Sequence, residues 1–204
     1  MPRLLSACAL VVLAAPAFAA DAPSPIDAIK ELGGKAQTDP TRDGNPVLKV
    51  VLTGDKITDR HLDLLAGFTE LEELDLAGAK VTNAGLAKLK GLLRLENLNL
   101  ARTLVTDEGL AALRPLGNLR VLNLEKAPEG EYSPATRFTD RALPHLKAMP
   151  KLRSLTMDWN MLTDEGMAAV LKMRHLREVR LGIQSKATSE GREGVSRALK
   201  ERRD

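Results

Sequence analysis

The residue types that most often carry catalysis are few and scattered in this sequence. Its three histidines are His61, His145 and His175, and its one cysteine is Cys8. No His or Cys pair has the spacing of metal ligands, and the sequence has no phosphate-binding loop, Gly-x-Ser-x-Gly or His-Glu-x-x-His motif. We therefore predict no catalytic residue, no metal site and no cofactor, which argues against an enzyme.

One polar pair does recur, a Thr followed by Asp or Asn. Each copy stands directly before two apolar residues three positions apart, as in Leu86 and Leu89. An i, i+3 pair is typical of a helix, and Thr and Asp are preferred at helix N-caps, where a side-chain oxygen accepts from free backbone N–H groups. We interpret the pairs as caps rather than as a catalytic or calcium-binding ladder; they begin at Thr58, Thr82, Thr106, Thr139 and Thr163.

The elements that position these residues follow from a repeat. The pattern Leu-x-x-Leu-x-Leu at Leu71 returns at Leu95 and Leu119, a step of 24. It continues after a longer interval as Leu152, Leu155 and Met157, and then after a further 24 residues as Leu176, Val179 and Leu181. A related apolar set lies 24 residues before the first, at Val47, Val50 and Leu52. Alternating apolar residues predict a short strand with one buried face, so each unit is a strand, a turn and a helix. Because one unit cannot bury both apolar sets, neighbouring units must stack.

These residues carry a family resemblance. Leu-x-x-Leu-x-Leu followed by Val-Thr-Asp-x-Gly-Leu-x-x-Leu resembles the 24-residue bacterial form of the leucine-rich repeat, over roughly residues 45 to 185. The resemblance implies an α/β solenoid, a right-handed strand–helix arc with a parallel sheet on the concave side and helices on the convex side. It also implies a protein-binding role. The family often has Asn or Cys nine positions after the first Leu, whereas this chain varies there: Asp55, Ala79, Thr103, Ala127, Asn160 and Gln184.

The chain ends and one irregular repeat complete the organisation. Arg3, an apolar run and Ala17-Phe18-Ala19 resemble a secretory signal peptide, so we predict cleavage after Ala19 and an exported protein, periplasmic or extracellular. The run is too short to cross a bilayer, and we predict no membrane span. The expected segments are signal peptide 1–19, capping helix and turn-rich linker 20–46, about six repeats 47–185 with an insertion at 127–137, and C-terminal capping helix 186–204.

Outward positions of the strands are where a binding surface would lie, because nothing in the fold dictates them. Their charges are polarised: Glu72, Asp75 and Glu96 belong to early repeats, and arginines to later ones, at Arg120, Arg153, Arg177 and Arg180. A second candidate surface is the rim beside the insertion, where we expect Tyr132 and Trp159 to meet near Arg102 and Lys126. Tyr, Trp and Arg dominate interface energetics.

These features predict a non-catalytic, exported module, most simply a monomer, that binds another protein. The formal charge is only +3 and acidic residues alternate with basic ones, which argues against a nucleic-acid partner. Two alternatives stay open: a cell-wall glycan or peptidoglycan held by Tyr132 and Trp159, or a regulatory or inhibitory subunit of a periplasmic enzyme.

Overall fold

The computed structural model of the protein describes residues 23–126, 137–158, 160–181 and 187–201. In these residues seven strands form one sheet, in the order of the sequence. The strands are β1 (Lys35–Thr38), β2 (Val47–Val51), β3 (Glu73–Asp75), β4 (Asn97–Asn99), β5 (Val121–Asn123), β6 (Ser154–Thr156) and β7 (Glu178–Arg180). β1 pairs antiparallel with β2, and all later pairs are parallel. The expected α/β leucine-rich repeat solenoid is confirmed.

The register of the sheet follows the repeat. Leu74, Leu98, Leu122, Leu155 and Val179 pair in turn across β3 to β7. All but the last are buried, and each strand has an inward residue between two outward ones. One continuous column of aliphatic side chains therefore runs through the core, and its order could be predicted from the spacing alone.

On the convex side, opposite the sheet, the helical segments are shorter than the one helix per unit that we predicted, and several are 3-10 helices. The α-helices are α1 (Pro25–Glu31), α2 (Asn83–Leu86), α3 (Leu143–Lys147), α4 (Asp164–Lys172) and α5 (Ser189–Glu201). The others are 3-10 helices at Asp59–Leu65, Ala87–Gly91, Asp107–Leu113 and Asp140–Ala142. A 3-10 helix has three residues per turn, so the i, i+3 leucine pairs still face the core.

A helix lies at each end of the described repeats. Pro25 begins α1 after the N-cap Ser24, and Ile29 of that helix is buried against the first repeat. β1 adds an antiparallel edge strand to β2. At the other end Thr188 Oγ1 accepts from Gly191 N at 3.1 Å, which caps α5. No helix among the described residues is long and apolar enough to span a membrane.

The recurring Thr–Asp pairs do more than cap. Thr82, Thr139 and Thr163 accept from backbone N–H groups at the starts of their helices, as predicted. The carboxylate that follows Thr139 reaches the next repeat: Asp140 accepts from Thr163 N at 3.0 Å and from Thr163 Oγ1 at 2.6 Å. The same two bonds join Asp59 to Thr82 and Asp107 to Thr139. We call this series the Asp–Thr ladder.

The glycines that follow the Thr–Asp or Thr–Asn pairs make room for a side chain of the preceding repeat. A Cβ placed on Gly166 would overlap Asp140 Oδ1, and one on Gly85 would overlap Asp59 Oδ1. The glycine therefore leaves room for the carboxylate of the preceding repeat. The group that approaches each of these two glycines most closely is therefore a side chain of the preceding repeat.

Candidate functional site

Two columns of side chains cross the sheet on the face turned away from the helices, here called the concave face. Strand pairing aligns the first outward residue of each strand, and two residues later it aligns the second. The first column is Lys49, Glu73, Asn97, Val121, Ser154 and Glu178; the second is Val51, Asp75, Asn99, Asn123, Thr156 and Arg180. Each column therefore presents one side chain per strand, at about 4.8 Å spacing.

The middle of the second column is held in place by short turns. Asp75 Oδ1 accepts from Ala77 N at 2.9 Å, Asn99 Oδ1 from Ala101 N at 3.0 Å, and Asn123 Oδ1 from Glu125 N at 2.9 Å. Each group thereby uses one oxygen on its own backbone. No hydrogen bond within the described part of the chain engages the second Asp75 oxygen or the two amide nitrogens, and the turns fix the orientation of all three side chains. A fixed orientation lowers the entropic cost of recognition.

A shallow depression of about 280 Å³ lies over β2 to β5. Its polar lining comes from Lys49, Glu73 and Asp75 on one side and from asparagine side chains on the other. Val121 adds an apolar patch, with 41% of its surface exposed. Lys49 Nζ lies 2.7 Å from Glu73 Oε2, and this bond raises the pKa of Lys49 above its ordinary value. The depression can hold polar and apolar groups of a partner, but it does not enclose a small molecule.

The charged residues predicted on this face fall into two groups. Asp75 and Arg180 stand on the strands themselves. The others lie directly before the strands, at the end of the sheet where the parallel strands begin. Backbone hydrogen bonds join them into a row, in the order Glu72, Glu96, Arg120, Arg153 and Arg177. Arg42 lies 2.8 Å from Glu72, and Arg120 lies 3.3 Å from Glu96. The acidic end of the predicted gradient is therefore largely neutralised within the chain.

Lys126 is not on the rim, and that part of the sequence prediction was wrong. Its side chain is 1% exposed, with the amine 2.8 Å from Thr103 O and 2.9 Å from Val105 O. The amine also lies 4.6 Å from the centroid of the Phe138 ring. Burial lowers the pKa of Lys126 to about 7, and the nearby Asp107 carboxylate opposes that shift. The long side chain satisfies backbone oxygens of the preceding repeat instead of meeting solvent.

The other rim residues are less informative about binding. Arg102 is exposed and has a φ of 56°, so its backbone is in the left-handed region. Tyr132 and Trp159, the two aromatic candidates, lie outside the described residues. Their predicted meeting on the rim therefore stays a prediction.

The histidines do not converge on any chemistry. His61 belongs to the first 3-10 helix and His145 to α3, while His175 lies between α4 and β7. The His61 side chain turns back toward the start of its helix, and its Nδ1 accepts from Thr58 N at 3.0 Å. Partial burial lowers the pKa of His61. Within the described ranges, no group of His, Cys, Asp or Glu is arranged to hold a metal ion.

Comparisons with known proteins agree with this geometry. A family model described as "Leucine Rich repeat" matches residues 69–90 and 148–171. The chain therefore contains leucine-rich repeats and has the leucine-rich repeat fold. A comparison with curated proteins finds no match.

Two solved structures give the scale of the likeness. The crystal structure of internalin C2 from Listeria monocytogenes has a TM-score of 0.53 at 18% identity, over 82% of this chain and 66% of that one. The PEPR1–AtPEP1 crystal structure has a TM-score of 0.44 at 16% identity, over 72% of this chain and 19% of that one. This chain thus spans less than two thirds of either, and the likeness to internalin C2 concerns the fold alone.

Proposed function

We propose that this leucine-rich repeat protein is an exported, non-catalytic module that binds a protein partner on its concave face. The observation that carries the proposal is the pair of in-register columns across six parallel strands, from Lys49 to Glu178 and from Val51 to Arg180. These side chains are not part of the core, which consists of the inward strand residues and the apolar residues of the helices and turns.

The dimensions of the face support a protein partner over a small ligand. Six strands at about 4.8 Å spacing span roughly 24 Å, and a standard protein interface uses about 800 Å² per partner. The central depression is shallow and mixes amide donors, carboxylate acceptors and exposed Val121. Such a mixture suits a surface that recognises its partner through hydrogen bonds and excludes water through apolar contacts.

Export is the second part of the proposal and rests on the N-terminal sequence, since residues 1–22 lie outside the described ranges. Mass spectrometry of the protein recovered from a bacterial envelope tests it. A mature chain that begins near Ala20 supports export, whereas retention of Met1 contradicts it.

Photo-crosslinking tests the binding face directly. A photoreactive residue replaces Asn97 or Val121 on the concave face, or Ala111 in the third 3-10 helix as the convex control. We expect one discrete adduct from both concave positions and none from Ala111. An adduct of the same mass from Ala111 alone would place binding on the convex side.

The glycan and regulatory-subunit alternatives gain no particular support from the described residues. Glycan binding depends on Tyr132 and Trp159, which lie outside those residues, and a binding screen with soluble cell-wall fragments is its test. An enzyme recovered as the crosslinked partner would select the regulatory role within the same proposal.

A further inference from the structure

One column of the concave face carries opposite charges at its two ends. From β3 to β7 the second column presents one side chain per strand, in the order Asp75, Asn99, Asn123, Thr156 and Arg180. Four strand spacings of about 4.8 Å place the two charged residues roughly 19 Å apart. We call these five residues the polar column.

At the first end of the polar column a negative charge is left over. Among the described residues that line the depression over β2 to β5, the only cation is Lys49, beside the carboxylates of Glu73 and Asp75. Lys49 Nζ lies 2.7 Å from Glu73 Oε2, and the bond to Glu73 and the charge of Asp75 both raise the pKa of Lys49. Asp75 Oδ1 accepts from Ala77 N, whereas no hydrogen bond in the described residues engages the second oxygen. That oxygen is therefore an acceptor for a cation supplied from outside.

At the other end of the polar column the charge is positive. Arg180 is exposed on β7, and within the described ranges its guanidinium has no hydrogen-bond or ion-pair partner. Glu178, the other outward residue of that strand, already has an interaction partner in the chain. A shallow depression of about 270 Å³ over β6 and β7 is lined in part by Arg180 and Thr156. An arginine in this setting can hold a carboxylate by two parallel hydrogen bonds.

The two amides between these charges favour an extended ligand. Asn99 Nδ2 and Asn123 Nδ2 are donors without an acceptor in the described part of the chain. A helix uses its own backbone carbonyl groups, but an extended segment leaves them free for such donors. Size favours the same choice, because the two columns are about 6.6 Å apart along a strand and a helix with its side chains is about 10–12 Å wide. An extended segment that crosses the strands therefore fits between the columns.

The position of Val121 agrees with such a segment. In an extended chain successive side chains point to opposite sides and the rise is about 3.3 Å per residue, so roughly six residues span the polar column. Val121 is the first-column residue of β5, 41% exposed, two strands from Asp75 and two from Arg180. A residue halfway along the segment is three positions from either end and therefore points to the opposite side, toward Val121. Distance and alternation thus agree on one order of side chains.

We propose that the concave face binds an extended peptide segment in which a basic residue, an apolar residue and an acidic residue follow one another at intervals of three positions. The basic residue contacts Asp75, the apolar residue contacts Val121, and the acidic residue contacts Arg180. Backbone carbonyl groups of the segment accept from the amides of Asn99 and Asn123. A neutral glycan can bond to the same amides, but it leaves both charges without a partner. The inference rests on the proposed function, because it names the kind of protein segment that the concave face recognises.

Selection from a random peptide library tests this order of side chains. A phage-displayed library of twelve-residue peptides is selected on the protein recovered from the bacterial envelope and on three variants. Asp75→Asn removes the charge but keeps an oxygen for Ala77 N, and Arg180→Gln removes the opposite charge. Asp63→Asn is the matched control, since Asp63 is an exposed carboxylate of the first 3-10 helix, on the convex side.

We expect the parent to enrich peptides with a basic and an acidic residue six positions apart and an apolar residue halfway between them. Asp75→Asn should lose the basic residue from the enriched pattern, Arg180→Gln the acidic residue, and Asp63→Asn neither. In fluorescence polarisation with a peptide of the enriched sequence, Asp75→Asn and Arg180→Gln should each weaken binding at least tenfold and Asp63→Asn less than twofold, because only the first two remove a charged hydrogen bond to the peptide. Asp75→Lys should bind the peptide in which Glu replaces the basic residue.

Failure of this inference is distinguishable from failure of the proposed function. Enrichment without the spaced charges, an enriched pattern that Asp75→Asn leaves unchanged, or no enrichment at all would overturn the charged segment. Photo-crosslinks from Asn97 and Val121 to a partner would in each of these cases still support binding on the concave face. Adducts from Ala111 alone would contradict both proposals.

Discussion

Lys126 Nζ donates to Val105 O at 2.9 Å, whereas the equivalent carbonyl oxygen in the neighbouring repeats accepts from a backbone N–H. Ile57 O accepts from Lys80 N at 2.8 Å, Val81 O from Leu104 N at 2.9 Å, and Phe138 O from Met161 N at 2.7 Å. Among the described residues no backbone N–H donates to Val105 O. The side chain of Lys126 thus replaces one bond of the inter-repeat series, directly before the insertion in the sequence.

The first prediction concerns the pH dependence that this amine confers. With a folded-state pKa of about 7 and an unfolded value of about 10.4, Lys126 is neutral when folded and protonated when unfolded between those limits. The unfolded chain then binds the extra proton, so stability rises with pH over that window, by up to about 1.4 kcal/mol per pH unit, and is flat below it.

Urea unfolding of the parent and of Lys126→Met from pH 6 to pH 10 measures this contribution. We expect the difference between the two curves to grow in the parent's favour as pH rises. Parallel curves would mean that the two carbonyl oxygens and the Phe138 ring keep the amine charged throughout.

The second prediction tests the core. Leu98 is 1% exposed and lies between Leu74 and Leu122 in the sheet, so Leu98→Ala should lower the free energy of unfolding by about 2 to 5 kcal/mol. Asn97→Ala, one residue away on the concave face, should cost less than about 1 kcal/mol. Equal urea midpoints for the two variants would contradict the assignment of inward and outward faces.

The third prediction concerns the Asp–Thr ladder. Asp140→Ala removes two bonds to Thr163, and because the acceptor is charged we expect a loss of about 2 to 4 kcal/mol. Gly166→Ala should also destabilise, because its Cβ overlaps the Asp140 carboxylate. In the double variant that overlap is gone, so the two losses should be strongly non-additive in a double-mutant cycle. Additive losses of stability, measured by thermal and urea unfolding, would show that Gly166 is not required to make room for the Asp140 carboxylate.

The fourth prediction concerns the rim. Trp159→Ala should weaken partner binding by about 2 kcal/mol or more, as loss of an aromatic anchor does, and should destabilise far less than Leu155→Ala in the same repeat. Deletion of residues 129–136 should leave the repeats folded and also reduce binding. Unchanged affinity together with unfolding of the Trp159 variant would instead assign Trp159 to packing.

The sequence predicted those parts of the structure that depend on periodic burial. Leu74, Leu98 and Leu122 could be placed in one column because a regular repeat puts equivalent residues in equivalent environments. The cross-repeat bond from Asp140 to Thr163 was missed, although Thr-Asp-x-Gly recurs, because the capping role of each pair was sufficient without a neighbour. The glycine of this motif was the signal that could have predicted the bond, because it marks the position where the carboxylate of the preceding repeat must fit.

Lys126 was misplaced for a physical reason. Its position was inferred by counting from the neighbouring repeats, and the insertion breaks the equivalence on which counting depends. A lysine inside a leucine core is also a rare solution, which is tolerated because two carbonyl oxygens and an aromatic face surround the amine. The order of the charges across the concave face could be predicted from the sequence. The ion pairs of Glu72 and Glu96 could be identified only from the structure.

The most direct test of concave-face recognition is an affinity measurement on the partner identified by crosslinking. Asn99→Arg places a long charged side chain in the central depression, and Ala111→Arg places the same side chain on the convex surface. With both variants folded to the parent's urea midpoint, we predict that Asn99→Arg weakens binding at least tenfold and Ala111→Arg less than twofold, by titration calorimetry. Equal affinities of Asn99→Arg and the parent, or a loss confined to Ala111→Arg, would contradict the concave face as the binding site.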